Sequence, residues 1–182
     1  MKSLPIINDS FTKQELFNQI DRYVDEIAAF YESLPLEIFR SKNTEKGWSI
    51  EKNLKHITSS TKAFAFLLKF PKFLLKLLGK PRNPSLSVKN FDPPTDRPDA
   101  VLGKYVGKHG ITEEERIKLI DNWKKVNIKF KAIIDKYSEE ELDSINTPVS
   151  GYSLRQFVLF TLIHNVHHSN VVRKRLEDTI IS

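Results

Sequence analysis

The sequence predicts an all-α protein, a four-helix bundle formed by a single domain over residues 1–182. Apolar residues recur at helical spacing over four long segments, and no segment shows the alternation that is typical of a strand. Each segment begins at a Ser or Thr, and three of them carry Glu or Gln three residues later, the pattern of a capping box. A chain of 182 residues is sufficient for one domain with a proper core and short for two.

The first helix is predicted over residues 12–34. The hydroxyl of Thr12 can cap the helix while Glu15 reaches back to the cap in a capping box. Apolar residues then recur at a helical period for six turns, up to Leu34. Pro35 follows, and the pattern stops there.

The second helix is predicted over residues 49–70, with Ser49 as its N-cap and Glu51 near the positive end of the helix dipole. His56 lies beside the apolar stripe of this helix. The face around His56 is mixed and partly small, which suits the wall of a pocket better than the centre of a core. The residues that share this face are Asn53, Ser60, Ala63 and Leu67.

Residues 71–111 are predicted to form a loop and a lid between the second and third helices. Residues 72–78 are cationic and leucine-rich, a composition found in membrane-surface elements, but the segment is short and a lid over the end of the bundle is favoured. Residues 80–110 contain five prolines and read as a loop. Loops of this length are usually functional or mobile. This one is long enough to cross the bundle, so the second and third helices can be parallel neighbours.

The third helix is predicted over residues 112–138 and the fourth over residues 153–177. Thr112 opens the third helix with a second capping box, and Ser153 with Gln156 caps the fourth. The residues between them read as an acidic link and a turn. Short connections on either side of one long crossover are typical of a four-helix bundle.

Composition excludes several classes of function. The chain has no cysteine, so disulfides, thiolate metal sites and cysteine nucleophiles are excluded. The net charge of +6 comes from scattered lysines rather than a clustered basic footprint, so no nucleic-acid partner is expected. The N-terminus lacks the apolar core of a signal peptide, and no apolar run approaches the length of a membrane span. A cytoplasmic location is therefore expected.

Three of the five histidines lie within five residues of the predicted fourth helix. His164 and His168 are four residues apart, so they lie on one face of the helix and can share a metal ion. His167 falls about 100° from His168 and is expected to be a surface or supporting group, although His164 with His167 remains an alternative ligand pair. His56 is the candidate third ligand, and a three-histidine site leaves a position open for water or substrate. His109 lies in the proline-rich loop and is expected to be exposed.

Several known catalytic motifs are absent from the sequence. The His-Glu-x-x-His signature of zinc peptidases fails because Asn165 occupies the position of the glutamate base. The Glu-x-x-His pairs of di-iron bundles are also missing. No Ser/His/Asp arrangement and no glycine-rich phosphate loop can be identified.

Two segments resemble a known family. Residues 48–56 carry the pattern W-S-x-x-x-x-L-x-H, and residues 164–168 carry H-x-x-H-H. Both patterns are similar to those of the DinB-like (YfiT-like) metal-binding four-helix bundles, where they lie in the second and fourth helices. Residues 151–157 also resemble the usual entry to the last helix of that family.

The resemblance implies an up-down-down-up bundle with the long crossover between helices two and three. It also implies a divalent metal ion, nickel or zinc foremost and iron or manganese as alternatives, held by His56, His164 and His168. Members of the family are often homodimers. Some transfer small thiols such as bacillithiol or mycothiol to electrophiles, and others are thiol-dependent maleylpyruvate isomerases.

Three functions remain open at this point. The first is a metal-dependent enzyme that acts on a small molecule, either by transferring a low-molecular-weight cellular thiol or by hydrolysis, since a divalent ion lowers the pKa of a thiol or of water. The second is a metal-binding stress-response protein without catalysis. The third is a bundle whose histidines are structural and bind no metal. No catalytic residue can be named from the sequence.

Overall fold

The computed structural model describes residues 1–44, 47–82, 87, 103–147 and 151–181, and within them the chain is mainly helical. A single turn of 3-10 helix at Leu36–Ile38 follows the first helix. The all-α class predicted from the sequence is confirmed. In chain order the elements are α1 (Lys13–Glu32), β1 (Lys42–Asn43), α2 (Ile50–Leu67), α3 (Lys72–Lys76), β2 (Tyr105–Val106), α4 (Glu113–Ile134), α5 (Glu139–Ser144) and α6 (Leu154–Ile181).

The predicted caps are present at the starts of the long helices. Thr12 and Thr112 each form a complete capping box with the glutamate three residues later. The hydroxyl of Ser49 accepts a hydrogen bond from the backbone N–H of Lys52, at 3.2 Å. The side chain of Ser153 accepts from the N–H of Gln156, whose side chain in turn accepts from the N–H of Ser153. These bonds satisfy N–H groups that a helix leaves unpaired at its first turn.

The four long helices pack around one apolar core. Both α1 and α2 contact α4 and α6, so each helix of one pair lies against both helices of the other. Most residues of α6 between Leu154 and Leu176 are buried, polar as well as apolar, as expected of a central helix. The predicted up-down-down-up order of the helices stays a prediction. The largest fully buried side chains include Tyr23, Phe30, Tyr31, Trp123, Phe130 and Phe157.

Two features of the fold were not predicted. The prediction of an acidic link after α4 is wrong. Ser138 and Glu141 instead form a third complete capping box, which starts helix α5. The expectation of no strand is also wrong in detail, because β1 and β2 form a two-stranded antiparallel ribbon. The backbone N–H of Tyr105 in β2 donates to the hydroxyl of Thr179, at 2.9 Å, which ties the ribbon to the end of α6.

The ends of the helices differ from the predicted limits by a few residues. Helix α2 ends at Leu67 rather than at 70, and α4 ends at Ile134 rather than at 138. Helix α6 continues to Ile181, past the predicted end at 177. Such differences are usual, because the last turn of a helix frays or tightens according to its tertiary contacts.

The segment after α2 forms the short helix α3. Its Leu75 is buried, while Lys72 and Lys76 form ion pairs with Glu141 of α5, at 2.6 and 3.4 Å. Gly79, which ends the segment, has a φ of +77°, a conformation that favours glycine. Residues 83–86 and 88–102, the centre of the predicted loop, lie outside the described residues. None of the helices in the described part of the chain has both the length and the apolar content needed to cross a membrane.

Candidate metal centre

Three histidines lie together where α2 faces α6. One ring nitrogen from each of His56, His164 and His168 lies within 4.8 Å of the corresponding nitrogens of the other two. The ring centroids are 4.4 Å apart for His56 and His168 and 4.7 Å apart for His164 and His168. The structure therefore brings together the three residues that the sequence placed in one site.

Helical geometry explains this arrangement. His164 and His168 are one turn apart on α6, so their side chains emerge on the same face of the helix. His56 lies in the second turn of α2, whose buried face packs against α6. Both α6 histidines are buried, at 7% and 6% exposed, and His56 is half-buried.

Asn53 fixes the tautomer of His168. The amide nitrogen of Asn53 donates to the carbonyl oxygens of Trp48 and Ser49, at 3.4 and 3.0 Å, so its amide oxygen is directed to the imidazole. That oxygen lies 3.4 Å from Nδ1 of His168. Because an amide oxygen can only accept, Nδ1 carries the proton and the lone pair is on Nε2. Metal-ligating histidines are commonly oriented by a hydrogen bond of this kind.

Two buried nitrogens of the cluster lack a hydrogen-bond partner. They are Nε2 of His168 and Nδ1 of His164, and neither has a partner in the part of the chain that the structure describes. Buried polar atoms are normally satisfied, and each exception needs an explanation. A metal ion would supply the missing partner for a lone pair such as that of Nε2 in His168. The donor set of three imidazoles therefore fits a divalent transition metal.

The histidines are held in the neutral form that metal binding requires. Burial, together with the charges of the neighbouring histidines, lowers the pKa of His164 to about 4 and that of His168 to about 3. Burial also lowers the pKa of His56. Because a protonated imidazole has no free lone pair, a lowered pKa keeps all three rings available as ligands at neutral pH.

Trp48 covers one side of the cluster. Its indole meets the ring of His56 edge to face, with centroids 4.7 Å apart, and lies nearly parallel to the ring of His168, at 5.9 Å and an angle of 6°. Its carbonyl oxygen also accepts a hydrogen bond from Nη1 of Arg175, at 3.1 Å. The guanidinium of Arg175 occupies the space that a side chain at Gly47 would need. Trp48 is therefore fixed by its backbone as well as by its ring.

Aromatic rings also flank His164. Phe64 of α2 and Phe160 of α6 have ring centroids 6.1 and 6.3 Å from that of His164. Both phenylalanines are partly exposed, and the buried ring of Phe157 packs behind Phe64, at 5.2 Å. This side of the site is apolar, and an apolar neighbourhood strengthens electrostatic interactions at the histidines.

The other candidate residues lie outside the three-nitrogen cluster. His167 is half-buried, with its ring centroid 5.6 Å from that of His168. His109 is exposed, as expected. Asn165 is fully buried and donates to the carbonyl of Thr161, at 2.7 Å, and to the hydroxyl of Thr61, at 3.2 Å. The residue at the position of the peptidase glutamate thus links α6 to α2.

Sequence reasoning did not assign roles to Asn53 and Trp48. Asn53 was noted only as a member of the mixed face of α2, and Trp48 only as part of the pattern that opens this helix. The signal that could have identified Asn53 is its position three residues before His56, on the same face of the helix. Its partner, His168, lies 115 residues later and no local pattern indicates it.

A comparison with models of protein families identifies a family for this chain. A model of the DinB family matches residues 8–172, a range that includes all three clustered histidines. None of the curated proteins matches the chain, and none of the solved structures does.

Proposed function

The chain belongs to the DinB family, and from this premise we propose that it is a divalent-metal-dependent enzyme with His56, His164 and His168 as its metal ligands. The proposal rests above all on the clustering of three neutral imidazoles, two of which carry a buried nitrogen without a hydrogen-bond partner among the described residues. The carboxylates of the described residues do not take part in this cluster.

Nickel or zinc is the proposed metal. Iron is the first alternative and manganese the second, because manganese prefers oxygen ligands. Imidazole nitrogens suit nickel, zinc, copper and iron, whereas magnesium and calcium require oxygen ligands. Three neutral ligands leave the double charge of the ion uncompensated. A divalent ion held there would act as a Lewis acid, which lowers the pKa of a thiol or of water.

The proposed reaction is transfer of a low-molecular-weight cellular thiol to a small electrophile. In this reaction the thiol sulfur forms a bond to an electrophilic carbon, the leaving group departs with its electron pair, and the thiol proton passes to solvent. The chain has no cysteine, so the thiol is a cosubstrate and no protein thiol competes for the electrophile. Within the site, Asn53 orients His168, and the rings of Trp48 and Phe64 lie against the histidines.

Hydrolysis is the second candidate function. The observation that favours it is the same donor set, because a divalent ion held by three neutral imidazoles would lower the pKa of water as well as that of a thiol. A metal-binding stress-response role without turnover is the remaining alternative. A cytoplasmic location and a homodimer stay predictions from the sequence.

The decisive experiment begins with elemental analysis of protein purified without a histidine tag. We expect one nickel or zinc ion per chain, and its loss in the variant His56→Ala. His109→Ala is the matched control, because His109 is exposed and outside the cluster. Protein that contains no metal and takes up neither ion would exclude the proposal.

The reaction is then tested with the fluorogenic electrophile monochlorobimane and a set of thiols that includes cysteine, glutathione and bacillithiol. We expect metal-dependent formation of the thiol adduct that disappears in His56→Ala. Metal-dependent cleavage of an ester such as p-nitrophenyl acetate, without thiol transfer, would favour the hydrolase. Bound metal with neither activity would favour the non-catalytic protein.

A further inference from the structure

A cationic, apolar surface lies at the end of α2 and along α3. Residues 62–82 contain six basic residues and no acidic residue. Six large apolar side chains of this segment are between 41% and 78% exposed, and we call them the 66–78 face. Large exposed apolar patches on soluble proteins mark sites of interaction. The members of the 66–78 face are Phe66, Phe70, Phe73, Leu74, Leu77 and Leu78.

The 66–78 face is held in place from behind. Leu75 is the buried residue of α3. The ammonium of Lys72 lies 5.0 Å from the ring centroid of Tyr137. Glu141, in the adjoining helix α5, forms ion pairs with Lys72 and with Lys76. The phenylalanines and leucines are therefore presented to solvent by a fixed backbone, which reduces the entropy lost when they bind a partner.

The charge around the 66–78 face is positive. Lys62, Lys69 and Lys80 are exposed and form no ion pair with any described residue. The negative charge of Glu141 is already compensated by Lys72 and Lys76. The surface thus combines an apolar centre with a cationic margin.

We propose that the 66–78 face binds the surface of an anionic phospholipid membrane. Phe73 and Leu77, at 65% and 78% exposed, enter the boundary between headgroups and acyl chains, and the flanking lysines lie against the phosphates. Helix α3 is short, with five residues, but Phe66 and Phe70 at the end of α2 extend the apolar surface beyond it. The two segments together would lie in the plane of the interface rather than across it.

Charge also distinguishes a membrane from a second copy of this chain. Two copies paired through this face would bring like-charged lysine margins together, which opposes association. An anionic lipid surface instead attracts every lysine of the margin. This proposal does not depend on the metal centre.

The test is co-sedimentation of the full chain with vesicles of phosphatidylcholine and phosphatidylglycerol, and with vesicles of phosphatidylcholine alone. We expect binding to the anionic vesicles that weakens as salt is raised, because salt screens the lysines. The double variant Phe73→Ser, Leu77→Ser is expected to bind roughly tenfold more weakly, because it removes the side chains that insert. The variant Lys69→Glu, Lys80→Glu is expected to lose binding to a similar degree.

Matched controls come from α4. Ile117 and Ile128 are 48% and 62% exposed, so Ile117→Ser, Ile128→Ser removes similar apolar surface elsewhere. Lys125→Glu, Lys129→Glu makes the same charge change on exposed positions of that helix. Both controls are expected to bind like the unmodified protein.

Three outcomes would overturn the proposal. One is no binding to anionic vesicles by the unmodified protein. Another is equal weakening by the α3 and α4 variants, which would indicate a general charge effect. The third is a dimer in analytical ultracentrifugation that Phe73→Ser, Leu77→Ser dissociates, which would assign the face to a second copy of the chain.

Discussion

The amide oxygen of Asn53 lies 3.4 Å from Nδ1 of His168, and this contact joins α2 to α6 beside the three-histidine cluster. It places the proton of His168 on Nδ1 and leaves Nε2 as the candidate ligand atom. We therefore expect Asn53→Ala to weaken metal binding by about 10–100-fold, the usual effect of removing a residue that orients a ligand. The measurement is competition against a chromogenic chelator. Asn18→Ala, at an exposed position of α1, serves as the control, and equal affinities for the two variants would contradict the assignment.

The two adjacent histidines of α6 are expected to differ. His168→Ala should abolish tight metal binding, because His168 supplies one of the three clustered nitrogens. His167→Ala should weaken binding much less, because His167 lies outside that cluster. Elemental analysis of both purified variants distinguishes them. Equal loss of metal from the two would show that His167 is also a ligand.

Trp48 should report metal binding by its fluorescence. Its indole lies 4.7 Å from the ring of His56, whereas Trp123, the other tryptophan, is buried in α4 against Tyr23. We expect nickel to quench the emission of the metal-free protein, because a paramagnetic ion quenches a fluorophore at contact distance. The variant Trp48→Phe should lose this response, and its remaining emission from Trp123 should not change. Undiminished quenching in Trp48→Phe would place the ion elsewhere.

The stability of the metal-free protein should depend on pH below neutrality. The pKa of His164 is about 4 and that of His168 about 3, against an ordinary value of 6.5, so protons bind the unfolded chain more readily than the folded one. The free energy of unfolding is therefore expected to fall as the pH drops below about 6.5, by up to ~1.4 kcal/mol per pH unit for each histidine. Above about pH 7 these two residues contribute no pH dependence.

Urea unfolding between about pH 7 and pH 4 measures this effect. His164→Phe should reduce the slope, because it removes one of the two groups that titrate. The matched control is His109→Ala, which removes a histidine outside the cluster. A stability that is constant over this range would contradict the lowered pKa values.

Arg155 should contribute measurably to stability. Its side chain is 7% exposed and pairs with Glu139 and with Asp143, the latter at 2.6 Å from Nε, so it fastens α5 to the start of α6. Arg155→Met is expected to lower the free energy of unfolding by ~1–2 kcal/mol, because both ion pairs are lost. The loss stays this small because the two acids are half exposed and can be solvated by water. Lys118→Met removes a largely exposed pair with Glu114 and should have almost no effect. If urea unfolding gave the same free energy of unfolding for Arg155→Met as for Lys118→Met, this role of Arg155 would be contradicted.

Local patterns in the sequence predicted the helices well. Thr12, Thr112 and Ser153 lie at caps that were predicted from nearby side chains alone, because capping is a short-range interaction. The same capping signal is present at Ser138 and Glu141 and could have identified α5 in place of the predicted acidic link. The ribbon of Lys42–Asn43 with Tyr105–Val106 pairs residues that are far apart in sequence, and no local pattern specifies it.

In the candidate site, too, features within one helix could be predicted and features that depend on packing between helices could not. The one-turn spacing of His164 and His168 is a property of one helix and could be predicted from the sequence. The contact of Asn53 with His168 and the stacking of Trp48 on that ring depend on how α2 packs against α6. The lowered pKa values also arise from burial in the folded chain, which sequence spacing does not reveal.

Helix α5 connects two regions of the protein, the 66–78 face and the start of the histidine-bearing helix α6, through ion pairs. Glu141 holds α3 and its apolar face, while Glu139 and Asp143 hold Arg155 at the start of the histidine-bearing helix. Unfolding of this six-residue helix would therefore remove the ion pairs of both α3 and the start of α6. In a mutational scan, positions in α5 would score as sensitive in both metal retention and vesicle binding, although none of them contacts an ion or a lipid.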